Sequence, residues 1–185
     1  YIAGASAANA LGSDWNGVAD ALFAGDPSGL AQTTRLSDGR TPPVGLLRAE
    51  PEALPAHLGE WESRNNRLVY HCLLPLLPAI EEARARFGAA RLGVVIGTST
   101  SGIESWEKAL PRRLADGVWP NDFRFPRHEL GDPSAFAAAA TGISGPCYSV
   151  STACTSGVKA MVSAARLIQT GLCDAVVTGG VDTLC

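Results

Sequence analysis

The sequence predicts an α/β fold in which a parallel sheet is covered by helices. Two continuous apolar runs, "RLGVVIG" and "CDAVVTGG", end in glycines and hydroxyl residues, the pattern of parallel strands buried on both faces. Segments with helical spacing separate such runs, giving an alternating strand and helix order. With 185 residues, 46% of them hydrophobic, the chain is long enough for one sizeable core.

Taken in order, "YIAGASA" reads as a short buried strand. "SDWNGVADALFAG" then reads as a helix, with Ser13 as N-cap and Gly25 as its stop. Residues 26–60 are rich in Pro, Gly and polar side chains and read as an irregular surface excursion. From Ser63 to Phe87 the apolar spacing is helical, with an i to i+4 pair from Glu82 to Arg86 and a stop at Gly88. Pro75 and Pro78 remove backbone donors, so a kink or break is expected there. Val94 to Ile96 form the clearest strand, and its C-terminal end is a natural position for a site.

Residues 103–131 form a longer excursion with a helix at "IESWEKALPRRLADG", followed by irregular, aromatic chain. "DPSAFAAAATG" offers Asp132 as N-cap, Pro133 at the first helical position and Gly142 as terminator. "ISGPCYSVST" is a strand. In the helix that follows, Val158, Met161, Val162, Ala165 and Ile168 share one apolar face, and Gly171 ends it. A last strand, "CDAVVTGGVD", closes the pattern.

Composition excludes several function classes. Net charge is −3, and the basic residues are scattered apart from Arg112 and Arg113, which provides no footprint for nucleic acid or an anionic membrane. No run approaches the roughly 18 apolar residues of a membrane span, and the N-terminus lacks the pattern of a signal peptide. The five cysteines, at 72, 147, 154, 173 and 185, lack the CxxC spacing of zinc and redox sites. That usage fits a reduced cytoplasm, with no metal site expected.

The stretch "SVSTACTSGVKAM" carries the candidate chemistry. If the strand ends near Thr152 and a helix begins around Cys154, the thiol sits at a helix N-terminus, where free N–H groups and the dipole favour an anion. Thiolate is thereby enriched, and the same N–H groups can stabilise the oxygen that becomes negative when a thiolate attacks a carbonyl. Ala153, Ser156 and Gly157 are small enough to leave room for a substrate chain. A free cysteine is otherwise a small buried hydrophobe, and local pattern alone leaves both readings open for Cys154. Cys72, Cys147, Cys173 and Cys185 keep the packing role.

"GPCYSVSTACTSGVKAMVSAARLIQTGLCDAVVTGGVDTL", with "RLGVVIGTSTSG" and "SRNNRL" upstream, resembles the N-terminal half of a β-ketoacyl-acyl-carrier-protein synthase, a thiolase-like condensing enzyme. The resemblance runs over nearly the whole chain and is most specific from Gly145 to Asp182. It implies a mixed, parallel-rich sheet covered by helices, with residues 1–185 forming one of two pseudo-repeated halves and the C-terminal half absent. It further implies that Cys154 accepts the acyl group as a thioester, its backbone N–H serving as an oxyanion donor. Malonyl-carrier protein then loses carbon dioxide and its carbanion extends the chain by two carbons.

By the same resemblance, Trp106 and Ala153 line an acyl tunnel. Cys147, Tyr148, Ser149, Val150 and Ser151 pair with the same strand of a second subunit, in a homodimer or with a chain-length-factor-like chain. No cofactor is implied beyond the phosphopantetheine of acyl carrier protein, the expected partner. The family's two catalytic histidines match none of His57, His71 and His128, so this half alone is expected to be acylated without condensing.

Two other functions share these features. A non-catalytic chain-length-factor-like subunit generally replaces the cysteine that is retained here at 154. A thiolase acting on coenzyme A thioesters places its nucleophile much nearer the N-terminus. A caspase-like or papain-like protease is disfavoured, because neither local cysteine signature is present.

Overall fold

The computed structural model describes residues 1–32 and 38–184. The first helix, α1 (Trp15–Ala24), is capped by Asp14, whose carboxylate accepts the Gly17 N–H at 2.9 Å. Ser13, the expected cap, stands one residue too early, and its carbonyl accepts a hydrogen bond from the His71 ring instead. Gly25 ends the helix in the left-handed conformation, as expected. Residues 1–7, expected as a strand, pair with no strand among the described residues. An extended run needs a neighbour's N–H and C=O groups to become one.

Among its described residues, the 26–60 excursion is irregular apart from a two-residue antiparallel pair, β1 (Leu30–Ala31) with β2 (Val44–Gly45), and a 3₁₀ turn that begins near its end, at Ala56–Trp61. Ser63 then caps α2 (Arg64–Leu73) through the Asn66 N–H, and α3 (Leu77–Phe87) ends at Gly88. The expected break is a 3₁₀ turn at Leu74–Leu76, where Pro75 supplies no donor. Glu82 and Arg86 do not close the expected ion pair. The Arg86 guanidinium lies over the Phe87 ring, 4.9 Å from its centroid.

Six consecutive buried residues make β3 (Leu92–Gly97). The excursion beyond it contains α4 (Ile103–Asp116), which continues through Pro111, and a 3₁₀ turn at Phe125–His128. In α5 (Asp132–Thr141), Asp132 is the first helical residue and Gly131 stands at the cap. The Asp132 carboxylate is not free to cap, because Oδ2 accepts the Asn66 amide at 2.7 Å. Then follow β4 (Cys147–Val150), α6 (Ser156–Gln169) and β5 (Ala175–Gly180).

The three long strands form one parallel sheet in the order β4-β3-β5. The most apolar strand is central, because only there are both edges paired and both faces covered. Alternation turns Leu92, Val94 and Ile96 toward Phe136 and Ala137 of α5, with Val69 and Leu73 of α2 in the same core. Helix α6 covers the β3 and β5 side through Ala160 and Ala164.

The apolar face read from spacing in α6 is not the one that meets the sheet: Val158 and Met161 are 66% and 54% exposed, and Val162 and Ile168 are also exposed. Close approach is the reason. A Cβ on Gly180 would come 3.0 Å from the Gly157 Cα, so helix and sheet meet where only glycine and alanine fit. At the other end of α6, Arg91 binds Asp174 at 2.7 Å and the carbonyl of Gly171 at 2.8 Å.

Candidate active site

The C-terminal ends of β3 and β5 form the seat on which α6 begins. A side chain on Gly97 would collide with the backbone of Ser156, and Gly157 packs directly on Gly180. The turn from Thr152 to Thr155 is therefore held over the carboxyl ends of parallel strands, where sites in open α/β sheets form.

Within that turn, Ala153 adopts φ +54°, a left-handed conformation that L-residues rarely enter. Helix α6 starts at Ser156, so Cys154 lies two residues ahead of the helix and not in its first turn. Ser156 sets this boundary. Its hydroxyl accepts the Thr152 N–H at 2.9 Å and donates to the Ala153 carbonyl at 2.6 Å. Thr155 adds a bond from its hydroxyl to the Thr152 carbonyl at 2.8 Å. Ser156 is buried, so its side chain belongs to the turn and leaves no space for a substrate.

Cys154 is exposed. Among the described residues, its N–H donates no hydrogen bond. An accessible thiol and a free donor thus sit on one residue, which is the local requirement for attack on a thioester with stabilisation of the resulting oxyanion. Desolvation pushes the thiols of Cys72, Cys147 and Cys173 above the usual thiol range. Cys185 lies outside the described residues.

The neighbouring Thr98–Ser101 turn is fixed by one carboxylate. Asp182 Oδ1 accepts the N–H groups of Ser99 and Thr100 at 2.7 and 3.0 Å and the hydroxyls of Thr98 and Thr100 at 3.1 Å. The Thr98 N–H bonds to the Val150 carbonyl, tying this turn to the strand that leads to Cys154. Ser134 of α5 fastens β4 from below: its hydroxyl lies 2.9 Å from the Tyr148 carbonyl and 2.7 Å from the Ser149 hydroxyl. Neither Asp182 nor Ser134 was legible as part of the site, because their partners are distant in sequence. Ser156 had a local signal, a hydroxyl four residues after Thr152, which a reading based on side-chain size passes over.

The other predicted site residues are placed as follows. Ala153 adjoins Cys154 and is exposed. Trp106 is half-buried on α4, whose main packing partner is the Phe125–His128 turn. Cys147 to Val150 form an edge strand with one side unpaired, Ser151 continues beyond it, and the Tyr148 hydroxyl meets that of Ser163 at 2.6 Å. His128 stacks on Phe123 and bonds the Gly102 carbonyl, and burial lowers its pKa. A depression of about 540 Å³ lies at α1 between Leu11 and Arg48, away from the strand ends.

The family model described as "Beta-ketoacyl synthase, N-terminal domain" matches residues 70–185. The chain belongs to the β-ketoacyl synthase family. It is similar to the chloroplastic 3-oxoacyl-[acyl-carrier-protein] synthase I of Hordeum vulgare, at 27% identity over 98% of this chain and 41% of the relative. With 3-oxoacyl-[acyl-carrier-protein] synthase 2 of Vibrio cholerae it shares 36% identity over 51% of this chain and 23% of the relative. Among solved structures, a ketosynthase in complex with its chain length factor from Xenorhabdus doucetiae matches with a TM-score of 0.92 and 39% identity. That match covers 100% of this chain and 47% of the other. The synthase chain thus has the thiolase-like fold expected from its sequence and spans less than half the length of these relatives.

None of the described helices is long and apolar enough to cross a membrane.

Proposed function

We propose that this chain supplies the acyl-accepting half of a decarboxylating condensing enzyme, with Cys154 as its nucleophile. In the first step the Cys154 sulfur attacks the carbonyl carbon of an acyl thioester on the phosphopantetheine of acyl carrier protein. The oxygen becomes negative and is met by the Cys154 N–H. The carbon–sulfur bond to the carrier then breaks, and the proton lost by Cys154 ends on the carrier thiol. One thioester is consumed, one is formed, and no redox cofactor is required.

Condensation follows on the whole protein: malonyl-carrier protein loses carbon dioxide, and its carbanion displaces Cys154 to give a chain longer by two carbons. On this reading Ala153 and Trp106 border the acyl chain. The free edge at residues 147–151 pairs with a second synthase subunit or a chain-length-factor-like subunit, in a cytoplasmic enzyme. The observation that carries the proposal is the exposed Cys154 with an unengaged N–H, on a left-handed turn over the strand ends. A chain-length-factor-like role for this chain itself is disfavoured by that retained thiol.

Intact-protein mass after incubation with an acyl-carrier-protein thioester tests the reading. The full-length protein should gain one acyl group and Cys154→Ala none. Equal labelling of both, or of neither, would remove Cys154 as nucleophile.

A further inference from the structure

We infer that Ser156 is a positioning residue for the nucleophile, whose hydroxyl holds the Cys154 N–H in its oxyanion-binding direction. The inference rests on the acylation reading above and names a group that acts through another. Its hydroxyl bridges both flanks of Ala153, accepting the Thr152 N–H at 2.9 Å and donating to the Ala153 carbonyl at 2.6 Å. Those two bonds clamp the residue at φ +54°, which alanine would otherwise leave readily.

The clamp decides where the next peptide points. With the Ala153 carbonyl turned inward to Ser156, the Cys154 N–H of the same peptide plane is turned the opposite way and remains unengaged. Ser156 itself cannot drift, because it is buried at 2% exposure and its backbone rests against Gly97. Removing the hydroxyl leaves the Thr152 N–H without its partner and the Ala153 carbonyl with the Ser156 N–H alone, at 3.0 Å, so one bond in place of two then orients the peptide between Ala153 and Cys154.

Two reactions of the same thiol separate this role from general damage. Alkylation by iodoacetamide needs an accessible thiol but develops no oxyanion, whereas acylation by a carrier thioester needs both. In the full-length protein, Ser156→Ala should therefore be alkylated within about threefold of wild type. Its acylation should fall about 30-fold, short of the roughly 10²-fold or more for outright loss of one oxyanion donor, because the Ser156 N–H still holds the Ala153 carbonyl. Ser156→Thr, which restores a hydroxyl, should recover acylation to within about tenfold of wild type.

Equal loss of both reactions in Ser156→Ala, or unchanged acylation, would overturn the inference. If Ser156→Ala does not fold, Ser156→Thr decides alone: acylation within about tenfold supports the role, and a larger loss with alkylation intact overturns it. Wild-type protein that is alkylated at Cys154 but never acylated would instead sink the proposed function and this inference together. Acylated wild type with unaffected Ser156→Ala sinks only the inference.

Discussion

Replacing Asp132 by asparagine should stabilise the protein at alkaline pH, although it removes a charge from the first turn of a helix. Asp132 is 5% exposed, and one carboxylate oxygen accepts the Asn66 amide at 2.7 Å. Burial is the dominant influence on its pKa and raises it from 3.8 to about 6, against smaller opposing effects from Asn66 and Arg127. Because the folded pKa exceeds the unfolded one, the native state binds this proton more tightly. The stability linked to it is fully present below about pH 4 and is lost as pH rises through about 6.

Two pKa units correspond to about 3 kcal/mol at 1.36 kcal/mol each, and relaxation of the surroundings around a buried charge reduces this to about 1–2 kcal/mol. Asparagine keeps an oxygen for Asn66 and carries no charge to desolvate. Urea denaturation of the full-length protein at pH 8 should show Asp132→Asn more stable by about 1–2 kcal/mol, with the gap closing toward pH 4.5. A gap independent of pH, or a variant less stable than wild type at pH 8, would refute the assignment of burial as the controlling influence.

Other substitutions probe the seat beneath Cys154. Gly97→Ala forces a methyl group into the Ser156 backbone and should lower stability by about 3 kcal/mol or more, read as a fall in the urea midpoint. Ala153→Gly relieves a left-handed alanine and should leave stability unchanged or raise it by up to about 1 kcal/mol, whereas Ala153→Val should lower it. Ser134→Ala leaves the Tyr148 carbonyl and the Ser149 hydroxyl short of a partner. It should cost about 1–3 kcal/mol and speed amide hydrogen exchange along β4.

Features decided by near neighbours were legible in the sequence. The β3 run, the helix start at Ser63, the break at Pro75 and the stop at Gly142 each follow from residue types within a turn or two. Capping at Asp14 missed by one residue, a choice between adjacent polar side chains settled by which oxygen reaches the free N–H. Which face of α6 meets the sheet was not legible, because its cause is the approach of Gly157 to Gly180 across the sheet. Spacing identifies an apolar face, but only the contact says which face the sheet takes.

At the candidate site, Cys154 stood out through its small, hydroxylated surroundings. The devices around it did not, since Asp182 reaches back more than 80 residues to the Thr98–Ser101 turn. A carboxylate that late in the chain carries no local mark of its partners. Ser156 was visible but misread, its hydroxyl counting for more than its size.

Helix α6 is fastened at both extremities, by the glycine seat at its start and by Arg91 just past its end. A rod pinned at two points cannot roll about its own axis. The row of Val158, Met161 and Val162 is consequently displayed at a fixed azimuth, as a rigid relief and not a fluctuating oily surface. Anything that covers this row meets side chains whose backbone is already ordered, so little conformational entropy remains to be lost on contact.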